Sequence, residues 1–181
     1  MMDIRTDHPL RRLFSGLVEN TFLTQVGMCD PLLTDYLADL LVDFSHVERF
    51  QAVRGAAGKR VETIAAMLSV LDQDEPDHSS DRDRLMYRHI GDYTLFWAGL
   101  YPEQLKRASS ESVDTLIMYV SQGKRSYALA SELGTDRDRP PSSLFRHLSD
   151  EFEQCVYGLG LVRKGLEHCD DAPPRLGDLI L

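Results

Sequence analysis

One stretch constrains this chain more than any other: Asp81 to Leu105, DRDRLMYRHIGDYTLFWAGLYPEQL. From Leu85 the apolar side chains fall at 85, 86, 90, 93, 95, 96, 97, 98 and 100. That spacing predicts a helix, amphipathic at first and apolar nearly all round toward its end. Such a helix needs other helices on most sides, so it is expected to run through the middle of a bundle. Ser79, Ser80 and Asp81 are capping types at its start, and Pro102 stops it. Arg82, Asp83, Arg84 and Arg88 are expected to face water. Leu85, His89, Asp92, Phe96 and Gly99 share one stripe, and Met86, Ile90, Tyr93, Trp97 and Leu100 the next.

Two kinds of residue break this apolar pattern. Gly91 and Gly99 each cost roughly 1 kcal/mol against alanine in a helix, a cost usually offset by a close helix crossing. Asp92 is a carboxylate among large apolar neighbours, so it must find a cation or hydrogen-bond donors, or neutralise. Arg88 at i−4, His89 at i−3, and Lys124 or Arg125 from another helix are the candidate partners. His89 and Asp92 read either as part of a buried polar network or as a ligand or acid–base pair facing a pocket.

The rest of the chain is helical in pattern. Positions 10, 13, 14, 17, 18 and 22 make a stripe that Asp7 can cap and Gly27 ends. Asp30-Pro31 restarts the chain, an N-cap followed by proline at the first helical position. Leu33, Tyr36, Leu37, Leu40, Leu41, Phe44 and Val47 then face inward, with Asp35, Asp39, Asp43 and Glu48 on the solvated side. A turn at Arg54–Gly58 leads to a third helix with Val61, Ile64, Ala65, Leu68 and Leu71 inward. Asp72–Ser80 reads as an acidic, mobile loop.

After a short turn of helix at 102–106, Ser109–Ser112 restarts the chain. The next helix has Val113, Leu116, Ile117, Val120, Tyr127, Ala128 and Ala130 on its inner side, with Gly123, Ser126 and Ala130 keeping one side thin. A loop at Gly134–Pro141 precedes one last long helix, which Ser142-Ser143 caps and Gly158 and Gly160 weaken. No strand alternation appears. The expectation is an all-α, single-domain bundle of about six helices around a buried central one, with a helical domain over 1–169 and a flexible tail over 170–181.

The net charge of −9 and pI near 5.1 argue against nucleic acid and against an anionic membrane as partners. No stretch reaches the roughly 20 apolar residues of a membrane span, and the N-terminus lacks a secretory pattern. Three widely spaced cysteines, Cys29, Cys155 and Cys169, fit free thiols in a reducing cytoplasm. Phosphate-loop, dinucleotide-loop, nucleophile-elbow and HExxH motifs are absent. His147 and Glu151 share a helix face at i, i+4. Were that face to meet His89 and Asp92, the four could hold a transition metal. Tyr87, His89, Asp92, Tyr93, Tyr119, Lys124 and Tyr127 are the candidate residues of a pocket or buried polar network.

IGDYTLFWAGLYPE, followed by Tyr119, Gly123 and Tyr127 in a Tyr-x-x-x-Gly-x-x-x-Tyr element, resembles a signature of uncharacterised bacterial helical proteins. DYLADLLVDF, Asp35 to Phe44, fits the same setting. The resemblance covers about two-thirds of the chain and implies a helical fold; it implies no activity, cofactor or catalytic residue. The functional expectation is a non-enzymatic cytoplasmic protein, homodimeric, that binds a partner protein or a small ligand. The alternative is a helical-bundle enzyme or metal or cofactor binder with its site around His89 and Asp92.

Overall fold

The apolar half of the Asp81–Leu105 stretch becomes the axis of the molecule. The computed structural model describes residues 9–51, 58–71, 80–107 and 112–170. In it α4 (Ser80–Leu100) is buried at every position from Ile90 to Leu100 except Asp92. Around it stand α1 (Pro9–Thr21), α2 (Pro31–Gln51), α3 (Gly58–Leu71), the short α5 (Pro102–Arg107), α6 (Ser112–Glu132), α7 (Ser142–Asp150) and α8 (Phe152–Asp170). Helices α2, α3, α5, α6 and α8 all touch α4, and α6 packs on it most extensively. Among the described residues these eight helices and one π-helical turn are the regular elements, and no strand occurs. The chain is an all-α bundle built on a central helix.

The helix count exceeds the expected six for two reasons. The turn after Pro102 is long enough to be a helix of its own. The last long helix breaks at Glu151, where the backbone turns to φ −103°, ψ 22°. The break is not at Gly158 or Gly160, which lie inside a continuous α8. Gly158 is instead the seat of the Phe22 ring, which occupies the space a side chain would need.

Local signals at the first helix boundary hold. α1 ends in a π-turn over Phe22–Val26, and Gly27 adopts φ 78°, the left-handed cap that glycine takes without strain. Asp30 then caps α2: its Oδ1 accepts from the backbone N–H of Leu32 at 2.9 Å and Leu33 at 3.2 Å. The cap of α7 differs from expectation. Ser142 and Ser143 lie inside the helix, and Asp136 of the preceding loop accepts from Ser143 N–H at 3.0 Å.

Two faces turn out differently from the pattern. On α6 the buried stripe is Thr115, Tyr119, Gly123, Ser126, Tyr127 and Ala130, while Ile117 is 57% exposed and Leu116 and Val120 are half-buried. The thin side, not the aliphatic side, faces α4, because close approach brings more atoms into contact than bulky aliphatics could at a wider spacing. On α4, Arg84 and Arg88 do not simply face water. Each lays its guanidinium 5.3 Å from a ring centroid, Arg84 on Phe145 and Arg88 on Tyr36. Leu13, Leu85 and Ala65, expected inside, are exposed. The cap at Asp7, the turn at 54–57, the loop at 72–79, the restart at 109–111, the side chains of Val47, Val61 and Val113, and the tail over 171–181 lie outside the described residues.

The crossing of α4 and α6 is closely fitted. A Cβ on Gly91 would stand 2.7 Å from the Tyr127 ring, and one on Gly123 would meet Thr94 Oγ1 at 2.5 Å and the Phe152 ring. Gly99 makes the matching contact with α8, 2.7 Å from Leu159 Cβ. Thus Gly123→Ala is expected to destabilise the fold by about 1–3 kcal/mol through overpacking. Gly16→Ala, in a helix position with nothing within 4 Å, is expected to stabilise it by about 0.5–1 kcal/mol. Urea denaturation of the two variants checks the pair, and equal effects would contradict the packing.

Candidate functional site

The carboxylate placed in the apolar helix finds its partners on three helices. Asp92 Oδ1 accepts hydrogen bonds from the Tyr36 hydroxyl of α2 at 2.5 Å and the Tyr127 hydroxyl of α6 at 2.8 Å. Its Oδ2 faces Arg88 Nε at 3.6 Å, one turn back on α4. Arg88 Nε also donates to the Tyr36 oxygen at 3.0 Å, so Tyr36 takes a hydrogen bond from the cation and passes one to the carboxylate. The Asp92 side chain is 14% exposed and that of Arg88 32%. Local pattern explains each placement: Tyr36 lies in the inward stripe of α2, Tyr127 on the thin face of α6, and Gly91 makes room for the Tyr127 ring.

Burial sets the electrostatics. Loss of water pushes the Asp92 carboxyl above its ordinary value, against the lowering pull of Arg88 and of the two hydroxyls. Burial, then the Asp92 charge, pushes both tyrosines well above the usual phenol range. Both phenols therefore stay protonated and serve as donors. Each Asp92 oxygen is engaged by the fold's own groups. The arrangement joins α2, α4 and α6 through one anion.

The structure brings some of the expected residues together and separates others. Asp92 and Tyr127 are in the cluster, and of the proposed partners of Asp92 it is Arg88 that pairs with it. His89 is exposed, its ring stacked 6.5 Å from Phe44. Lys124 does not reach Asp92; it pairs with Glu153 of α8 at 2.8 Å. Tyr93 and Tyr119 are buried beside each other, ring centroids 6.4 Å apart, and Tyr87 packs half-buried against the core. Tyr36 was missed as a site residue, although a tyrosine inside an aliphatic stripe carries a hydroxyl that needs a partner.

The metal set does not assemble. His147 Nδ1 lies 2.8 Å from Asp30 Oδ2, clasping α7 to the start of α2. Glu151 hydrogen-bonds Gln154, and His89 is against Phe44. Among the described residues no three His, Cys, Asp or Glu side chains stand close enough to share an ion. Burial pushes the Cys155 thiol up to about 12, so it remains a protonated core residue.

Space for a ligand lies elsewhere. A groove of about 420 Å³ opens where the end of α4 and the start of α5 meet α6 and α8. Leu100, Leu116, Val156, Tyr157 and Leu161 supply apolar walls, and Arg163 and Lys164 lie along one side. A second depression of about 280 Å³ lies at the α1–α2 corner beside Met28, Cys29 and Pro31.

These features define the class: an all-α bundle locked by a carboxylate–tyrosine–guanidinium cluster, with an apolar groove on its flank. No known protein family, curated protein or solved structure matches the chain. No described helix is long and apolar enough to cross a membrane.

Asp92→Ala is expected to destabilise the protein by about 2–4 kcal/mol, because two buried hydroxyls lose their acceptor and the Arg88 guanidinium loses its counter-charge. Tyr127→Phe should cost about 1 kcal/mol by the same denaturation assay. Asp92 also sets a pH signature. Its folded value lies above the ordinary 3.8. Between those two values the folded state binds the proton that the unfolded chain has lost, so this group's contribution falls as pH rises and then levels. Denaturation of the wild type and Asp92→Asn from about pH 3 to 7 should show the wild type losing ground to the variant through that window. A gain instead would contradict burial as the dominant cause.

Proposed function

We propose that this is a non-enzymatic, cytoplasmic binding protein, related to the helical family it resembles, whose ligand or partner seats in the α4–α6–α8 groove. The observation that carries the reading is the groove itself. Its volume lies in the range of small-molecule sites, its lining is mostly apolar, and a few polar groups converge on one side. Kinship with the family is supported by the way its two motifs interlock: Gly91 against Tyr127, Asp92 against the Tyr127 hydroxyl, Tyr93 against Tyr119, Thr94 against Gly123.

The alternative, an enzyme or metal binder centred on His89 and Asp92, has less to support it. The oxygens of Asp92 are already engaged by tyrosine hydroxyls and Arg88, the His89 ring is stacked on Phe44, and His147 and Glu151 are engaged by Asp30 and Gln154. The reading includes pairing of two copies, supported by the exposure of Leu23 (59%) and Leu32 (50%), neither of which lines the larger groove. Sedimentation should show a dimer that Leu23→Glu with Leu32→Glu weakens; a monomer at all concentrations would remove this part.

The groove is tested with Nile red, a neutral apolar probe. One probe per chain should bind, with a change in emission from Trp97, the only tryptophan. Gly160→Leu, which fills the groove floor, or Leu161→Glu if that variant does not fold, should abolish binding. Binding unaffected by either variant would overturn the reading.

A further inference from the structure

The groove's floor and its charges say more about what it holds. Gly160 sits inside α8, where glycine costs roughly 1 kcal/mol against alanine. The fold does not require it there: a Cβ would have as its nearest neighbour the Gly99 carbonyl oxygen at 3.5 Å, an ordinary contact. Its neighbour Gly158 is different, since the Phe22 ring fills that position. The missing side chain at Gly160 keeps the floor of the groove open, and nothing within the described fold uses that space.

The two cations along the groove are in opposite states. Arg163 is saturated: it donates to the Leu100 carbonyl and to Glu103, its Nε donates to Glu167 at 2.8 Å, and its guanidinium lies 5.1 Å from the Tyr101 ring centroid. Both carboxylates at the rim are thereby turned toward Arg163. Lys164, the next residue, lines the same groove and is exposed, and its ammonium has no carboxylate partner among the described residues. An apolar trough is thus flanked by one positive charge that no described carboxylate engages.

We infer that the groove takes an amphipathic carboxylate, an unbranched apolar chain lying over Gly160 between Leu116, Tyr157 and Leu161 with its anionic head against Lys164. This rests on the groove being a binding site, as proposed above. An apolar chain matches the walls, and a carboxylate is the head group that complements Lys164 while Arg163 stays occupied. A cationic amphiphile would have to compete with Arg163 for Glu103 and Glu167. No covalent step is involved.

The test compares decanoate, decanol and decylammonium, read by Trp97 emission and by calorimetry on the full chain. Decanoate should bind about three- to fivefold tighter than decanol, the gain an exposed ion pair supplies, and added salt should shrink that difference. Each methylene from octanoate to decanoate should add up to about fourfold. Lys164→Gln should bring decanoate down to decanol, whereas Lys164→Arg should keep the difference. Lys164 holds no other described residue, so both variants should fold. Equal binding of decanoate and decanol, or tightest binding of decylammonium, would overturn the carboxylate assignment while leaving the groove a binding site. Failure of all three chains and of Nile red would overturn both readings. So would a dimer that Gly160→Leu dissociates, which would make a second copy the occupant.

Discussion

The fold depends on one anion in the wrong place. A carboxylate midway along an apolar helix is tolerated only if its surroundings replace water, and here two hydroxyls and a guanidinium do so. The donors come from α2 and α6 and the counter-charge from α4 itself, so satisfying Asp92 also fixes the relative rotation and register of three helices. An all-apolar position there would leave α2 and α6 freer to slide along α4. The 2.5 Å and 2.8 Å hydrogen bonds convert a desolvation cost into a geometric constraint.

Close helix approach and the polar cluster are parts of one arrangement. Tyr127 can reach Asp92 only because Gly91 lets its ring lie on the α4 backbone. Gly123 in turn lets Phe152 and Thr94 close the layer beneath. Thr94 returns its own hydroxyl to the carbonyls of Ile90 and Gly91, at 2.8 Å and 2.9 Å, so that hydroxyl is not stranded by the close contact. On the far side, Gly99 brings α8 against α4, and Gly160, whose Cβ would stand 3.5 Å from the Gly99 carbonyl oxygen, lines the groove beside that crossing. The same small residues that lock the centre thus determine where the flank stays open.

This division separates what holds the molecule together from what is available to bind. The cluster is closed and engaged with itself. The groove is apolar, open, and edged by Arg163, which the fold has used, and Lys164, which pairs with no described carboxylate. The clasp between Asp30 and His147 and the bridge between Lys124 and Glu153 lie on yet other faces, so the ionisable residues that looked alike in the sequence have distinct positions and partners.

Much of this was legible in the order of residues. Apolar period located α1, α2 and α4, the Asp30 cap with Pro31 located the start of α2, Pro102 the end of α4, and the buried carboxylate and the glycine crossings announced themselves as exceptions to the pattern. The i−4 spacing marked Arg88 as a partner for Asp92, because residues four apart in a helix share a face whatever the tertiary fold. Tertiary structure alone decided which face of α6 turned inward, that Tyr36 from a distant helix would complete the cluster, that His89, His147, Glu151 and Lys124 would not, and where a groove would lie between α4, α6 and α8. Those outcomes depend on contacts between residues far apart in the chain, and helical periodicity says which side chains share a face but not which faces meet.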